Sequence, residues 1–418
     1  TKDMLATTLS DALIETYKNN PILNAERENI SISKEDLKIS KSEFLPTMTL
    51  TGTKSKEDTT KLTNRSGTDV NNKDVDPLTK SLVIEQVLYD GNERNAGYEK
   101  NEIGIKLAKI KLLKVEQEIF YQAIEAYTGL ISANKKLQIN RSNIKLLKRQ
   151  VETDQSRFER GQITISDLSQ SESSLAEATA KLIEAKNNVI TSRLIYENLI
   201  GPIENISDLK ENFKLNASLP KSLNEANNIS IKKNPNLIIS RLEYDQSKKD
   251  IKISESEILP LASLSFEASQ IEDLSSTYKE RDKKILKATV KWPFYSGGKN
   301  RAKIDKSVNI KNKKRLLLNN AIKTNNTNVV SAWSNFQSLK SLLNSVRSQV
   351  KASKIANEGI TAEYNSGSGR STLDVIQSNS LLLASKISLV NSERNYLLSQ
   401  FKLLQSVGLL TAENLNIK

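Results

Sequence analysis

The stretch DLKISKSEFLP at residues 36–46 returns almost unchanged as DIKISESEILP at residues 250–260. With an offset of 214, Pro21 falls on Pro235, Asp36 on Asp250, Lys38 on Lys252, Glu43 on Glu257 and Pro46 on Pro260. At an offset of 206, Tyr89 and Gly91 meet Tyr295 and Gly297, and Phe158 and Gly161 meet Tyr364 and Gly367. Asp167 then meets Asp374, and Gly201 meets Gly408, at 207. A shared order over so much of the chain means a tandem duplication, with a first repeat at 1–205 and a second at 206–418. Length alone would allow two or three unrelated domains; the repeat overrules that count.

Within each repeat the hydrophobic period changes in step with the prolines. Asn20-Pro21 and Asn234-Pro235 each separate a short helix from a second one that stops before Leu45-Pro46 or Leu259-Pro260. Beyond those prolines apolar and polar residues alternate, as in Ala262, Leu264, Phe266 and Ala268 against Ser263, Ser265, Glu267 and Ser269, the period of a strand with one apolar face. This predicts strands at about 47–57 and 79–89 in the first repeat, and about 261–272 and 285–295 in the second. Lys287, Thr289 and Lys291 fall on the polar face of the last one. No proline occurs at 92–160 or 298–366, and apolar residues such as Ile105, Ala108, Leu112, Val115 and Ile119 recur every three or four positions. Helices of that length would span about 100 Å, too long for a globular core. Each ends near Gly161 or Gly367, and a returning helix predicts helical hairpins at about 92–200 and 298–408.

The chain contains no cysteine and no histidine, which removes disulfides, thiolate chemistry and imidazole acid-base chemistry. No GxSxG, SxxK, P-loop or GxGxxG pattern brings other reactive groups together. The expectation is therefore a protein that is not an enzyme and holds no cofactor or metal. A net charge of +13 invites an anionic partner, but acidic residues are interleaved with the basic ones and aromatics make up 5% of the chain, so no nucleic acid is expected. No apolar run approaches the roughly 20 residues of a membrane-spanning helix, so any crossing must be made by strands. The opening TKDMLATTLS has neither the charged nor the apolar region of a signal peptide, and export has to be inferred from architecture.

Four strands from one chain cannot close a barrel or hide a sheet edge, and narrow apolar stripes rich in Ala, Ser and Asn suit lateral helix packing. The order of elements, the Asn-Pro and Leu-Pro punctuation, the stretch WPFYSGG at 292–298 and the helix-tip pattern RFERGQITISDLSQSES at 157–173 resemble the TolC family of outer-membrane ducts. The resemblance spans essentially the whole chain. It implies a mainly α protein with a membrane β-barrel: a homotrimer with a 12-stranded barrel in the outer membrane of a Gram-negative bacterium, an α-helical coiled-coil tunnel through the periplasm and an equatorial domain. The implied role is the passive exit of drug efflux or type I protein secretion. Its implied partners are a periplasmic adaptor (membrane fusion) protein, an inner-membrane transporter of the RND, ABC or MFS type, and outer-membrane lipid. Some members are anchored by a lipidated cysteine, which this chain lacks, so anchoring is expected to rest on the barrel. A non-conducting trimeric coiled-coil scaffold is the rival expectation; it accounts for the helices but not for the paired strands.

The resemblance also assigns residues. Asp167 with Ser166, and Tyr364, Arg370 and Asp374, match the periplasmic gate, with Gln377 where some members carry a second inward carboxylate. The alternative for the two aspartates is a plain role at helix N-termini. The second tip, YNSGSGRSTLD, has one residue more than the first between its glycine and its aspartate, so Arg370 matches only with a shift. Gly161, Gln162, Ile163, Gly367 and Ser368 match the tips where adaptor hairpins dock, or serve turn geometry alone. Tyr89, Trp292, Phe294 and Tyr295 sit at strand ends, either as an aromatic belt at the membrane interface or packed on neighbouring helices.

Overall fold

The structure, a computed structural model, describes residues 8–61, 63–69, 74–211, 218–275, 278–367 and 369–417. In chain order these form α1 (Leu9–Asn19), α2 (Pro21–Ser42), β1 (Thr47–Lys54), β2 (Leu78–Tyr89), α3 (Glu93–Glu159), α4 (Ile165–Leu199), α5 (Leu223–Lys233), α6 (Pro235–Ser256), β3 (Leu261–Glu272), β4 (Glu280–Lys291), α7 (Lys299–Asn365) and α8 (Thr372–Val407). α3 and α7 contain 67 residues each. The chain forms two compact units that cut across the repeats: Thr1–Glu28, Ile110–Ile239 and Asn320–Lys418 make one, Asn29–Lys109 and Ser240–Asn319 the other.

The first unit holds the apolar core. Leu13 of α1, Phe120, Ile124, Tyr127 and Leu130 of α3, Tyr196 of α4 and Phe401 and Leu404 of α8 bury one another together with Leu410 and Leu415 beyond α8. A smaller cluster joins Ala226 of α5, Val329 and Phe336 of α7 and Leu403 and Val407 of α8. Burial pushes the Tyr196 phenol up to about 12, so both it and the buried Tyr127 stay neutral. Glu116, also buried, accepts from the Ala412 amide at 2.7 Å and so fastens the segment after α8 onto α3. Gly408 ends α8 at φ 83, where a Cβ would run into the Lys233 carbonyl, so only glycine fits. The Asn-Pro pairs act as caps. Asn20 Oδ1 accepts from the Ile22 and Leu23 amides, and Asn234 Oδ1 from those of Asn236 and Leu237, with proline at the first helical position of α2 and α6.

In the second unit the repeated eleven residues close each helix onto the start of a long one. Ser40 Oγ accepts from Asn101 Nδ2 on α3, and its counterpart Ser254 meets Ser307 on α7 at 2.6 Å. The Glu43 carbonyl takes Arg94 Nη1 at 3.0 Å, and the Glu257 carbonyl takes Asn300 Nδ2 at 2.9 Å. Glu43 and Glu257 thus fix the helix end just before Leu-Pro turns the chain into a strand.

The four strands form one antiparallel sheet in the order β1-β2-β3-β4. Two strands depart from the sequence-based bounds. β1 ends at Lys54 rather than near 57, although a bridge between Glu57 and Val75 prolongs the hairpin. β4 covers Glu280–Lys291 instead of about 285–295: its ladder opens with Glu280 opposite Glu272 and closes with Lys291 opposite Leu261. The apolar alternation begins only at Leu286, so periodicity missed the charged start, and Pro293 has no amide to carry the ladder further.

Candidate functional site

The pairing register sorts the sheet into two unlike faces, because directly opposed residues share a side. One face carries Met48 and Leu50 of β1, Leu82 and Ile84 of β2, Ala262, Leu264, Phe266 and Ala268 of β3, and Leu286, Ala288 and Val290 of β4. Its charged residues, Lys54, Lys80, Glu272, Glu280, Asp282 and Lys284, gather at the hairpin end. What remains is an apolar band about 20 Å long on β3 at about 3.3 Å per residue. The other face carries Thr47, Thr49, Thr51 and Thr53, then Ser81 and Glu85, then Ser263, Ser265, Glu267 and Ser269, then Arg281, Lys283, Lys287 and Lys291.

Among the described residues nothing covers the outer strands of the apolar band: Met48, Leu50, Leu286 and Val290 are each at least 70% exposed. Among the described residues β1 pairs only with β2 and β4 only with β3, so both edges are open. Among the described residues no helix is long and apolar enough to cross a membrane. Of the four aromatics at the strand ends, Tyr89 is the last residue of β2, while Trp292, Phe294 and Tyr295 lie just past β4 and are exposed. Trp292 Nε1 donates to the Ile258 carbonyl at 3.1 Å, which ties the indole to the end of α6 without burying it.

The helix tips lie in the first unit. Gly161 and Gly367 turn the chain at φ 68 and 77 with open space around each, while Ser368 lies outside the described residues. Gln162, Ile163 and Asp167 of the first tip and Tyr364, Gly367 and Arg370 of the second line one polar cavity of about 580 Å³. Ser166 and Gln377 are exposed and are not among its lining residues, and Asp374 does not line it either.

Both aspartates are engaged in helix caps. Asp167 accepts from the Thr164 hydroxyl at 2.7 Å and from its amide at 3.0 Å, while Thr164 Oγ1 takes the Asp167 amide. Asp374 and Ser371 form the same reciprocal box. Hydrogen bonds from the Thr164 hydroxyl and amide hold Asp167 below the usual carboxylate range, and those from the Ser371 amide and hydroxyl do the same for Asp374. Arg370 pairs with Glu363 of α7 at 2.6 Å rather than with an aspartate.

The residue that sequence reasoning missed is Asp154. Fully buried on α3, it accepts from Tyr364 Oη at 2.7 Å, Ser171 Oγ at 2.5 Å and Gln150 Nε2 at 3.0 Å. Tyr364 also reaches Thr372 at 3.1 Å, and the Arg157 guanidinium lies 4.1 Å from its ring centroid. Burial, reinforced by the Asp154 carboxylate, pushes the Tyr364 phenol above its ordinary range, so it stays a donor. This network joins α3, α4, α7 and α8 at the tip. Among the described residues no cluster of three or more acidic side chains suited to a metal ion is present.

Comparison with known proteins agrees with this architecture. The outer membrane efflux protein family model matches residues 13–201 and 228–409, one stretch in each repeat. The outer membrane efflux protein BepC of Brucella suis is 25% identical over 415 residues, 99% of this chain and 88% of its own length. The alkaline protease secretion protein AprF of Pseudomonas aeruginosa is 24% identical over 433 residues, covering 100% and 87%. A solved membrane protein of Pseudomonas aeruginosa superposes with a TM-score of 0.84 at 14% identity, covering 96% of this chain and 90% of that one.

Proposed function

Because the chain belongs to the outer membrane efflux protein family, we propose that it is the passive exit duct of the outer membrane, serving drug efflux or protein secretion. The observation that carries this is the sheet with one uncovered apolar face, one polar face and two open edges. Three copies would contribute twelve strands, close every edge, turn the apolar band to lipid and leave the polar face on a water-filled lumen. The helical hairpins would line the periplasmic tunnel, with each repeat supplying one hairpin. The similarity to an efflux protein and to a protease secretion protein leaves both cargo classes within the proposal.

At the tunnel entrance, we assign the gate to Asp154, Tyr364, Arg157 and Arg370, with Asp167, Ser166, Asp374 and Gln377 around it. Cavity-lining Gln162 and Ile163, with the turns at Gly161 and Gly367, form the surface offered to a periplasmic adaptor, which links the duct to an inner-membrane transporter; the resemblance adds Ser368, which lies outside the described residues. Tyr89, Trp292, Phe294 and Tyr295 would sit at the headgroup level.

Single-channel recording of detergent-purified protein in a planar bilayer tests the assignment. Discrete conductance steps from a trimeric species are expected. A protein that stays soluble without detergent and forms no pore is a scaffold and not a duct.

A further inference from the structure

The polar face of the sheet is unevenly charged. Arg281, Lys283, Lys287 and Lys291 line one strand, β4, against Glu85 on β2 and Glu267 on β3. None of the ion pairs found among the described residues involves these four basic side chains, and all four are exposed. The register explains why they stay unneutralised. Lys283 lies opposite Ser269 and Lys287 opposite Ser265, so Glu267, opposite Ile285, is reached only diagonally. Glu85 is in the row of Lys287 but two strands away, about 10 Å at 4.8 Å per strand. Along β1 closing the barrel adds no acid, because the strand that a second copy would set beside β4 presents only Thr47, Thr49, Thr51 and Thr53 on this face, and the first acid on that side, Glu57, lies beyond the strand in the bridge to Val75.

We propose that this stripe makes the barrel end of the duct a filter that favours anionic solutes. The proposal rests on the duct assignment above. The strands of three copies place twelve basic and six acidic side chains on this face. A low-dielectric wall focuses such a field inward, and rings of basic side chains in pores select anions. The helix tips belong to the other unit of the chain, and the stripe on the sheet acts independently of the residues assigned to the gate. Anionic cargo that has passed the entrance would be drawn outward, and cationic solutes outside would be repelled from re-entry.

The test is the reversal potential of single channels in a potassium chloride gradient, comparing the parent with Lys283→Gln/Lys287→Gln/Lys291→Gln. A shift of the variant towards cation preference is expected. The difference should fade near 1 M salt, where the screening length falls to about 3 Å. Because the chain has no cysteine, Lys287→Cys gives a second, milder probe: a cationic thiol reagent should restore the parental reversal potential, and an anionic one should shift it further towards cations. Inorganic tripolyphosphate added on the barrel side should reduce the parental current and leave the triple variant's current untouched. Channels that open in the triple variant with an unchanged reversal potential would overturn the filter while leaving the duct intact. A parent that forms no channel would overturn the duct assignment and the filter with it.

Discussion

The phenolic hydroxyl of Tyr364 on α7 donates to Oδ1 of Asp154 on α3 across 2.7 Å, 210 residues away in sequence. Removing the carboxylate leaves Tyr364 with Thr372 alone and also frees Ser171 and Gln150. Asp154→Ala should therefore cost about 1–3 kcal/mol, the range for orphaning buried polar groups. Tyr364→Phe should cost less, since Asp154 keeps two partners. In single-channel recordings both variants should raise the conductance, Asp154→Ala more; conductance equal to the parent in both would remove this network from the gate.

The two sheet faces should answer oppositely to the same substitution. Leu286→Arg introduces a charge into the apolar band, whereas Thr289→Arg adds one to the polar face. In a membrane barrel the first costs about 2–4 kcal/mol near the bilayer midplane, and the second costs little. Folding into lipid vesicles, followed by the heat-sensitive mobility of the assembled species, should fail for Leu286→Arg and proceed for Thr289→Arg. Equal yields would contradict the assignment of faces.

Glu116 gives a pH signature. Burial raises its pKa, only partly opposed by the Ala412 amide and by Arg27. The folded chain then binds this proton more tightly than the unfolded one. Its carboxylate weighs against folding above the folded value, and that cost disappears once pH falls below the unfolded value of about 4.3. Glu116→Gln keeps an acceptor for the Ala412 amide without the charge, so it should melt higher than the parent near pH 7.5 and match it near pH 4. Glu116→Leu strands the amide and should melt lower at both. A glutamine variant with no gain at neutral pH would show that the amide and Arg27 already offset the burial.

The duplicated order, the apolar alternation and the proline punctuation made the fold legible before any coordinates, because each reports a local rule that the backbone must obey. The site was legible only in part. Asp167 and Asp374 stand out as matched aspartates after turn glycines, yet the structure uses both in capping boxes. Asp154 has no acidic counterpart, since offsets of 206 and 207 lead to Ile360 and Thr361. The signal was its place seven residues after Leu147, on the buried stripe of α3, where a carboxylate needs a partner. That partner, Tyr364, lies in the other repeat, and no local pattern reaches that far. The charge asymmetry of the sheet was likewise hidden, since it depends on the register between strands.

β1 and β4 each have one neighbour where a closed sheet would give them two. Completing the strands is therefore a higher-order reaction whose rate depends on how often copies meet. Ring closure also needs every edge sound. A copy with a damaged β4 can still dock through β1 and then offers the next arrival nothing to join, so a small fraction of such chains would poison assembly well beyond their number.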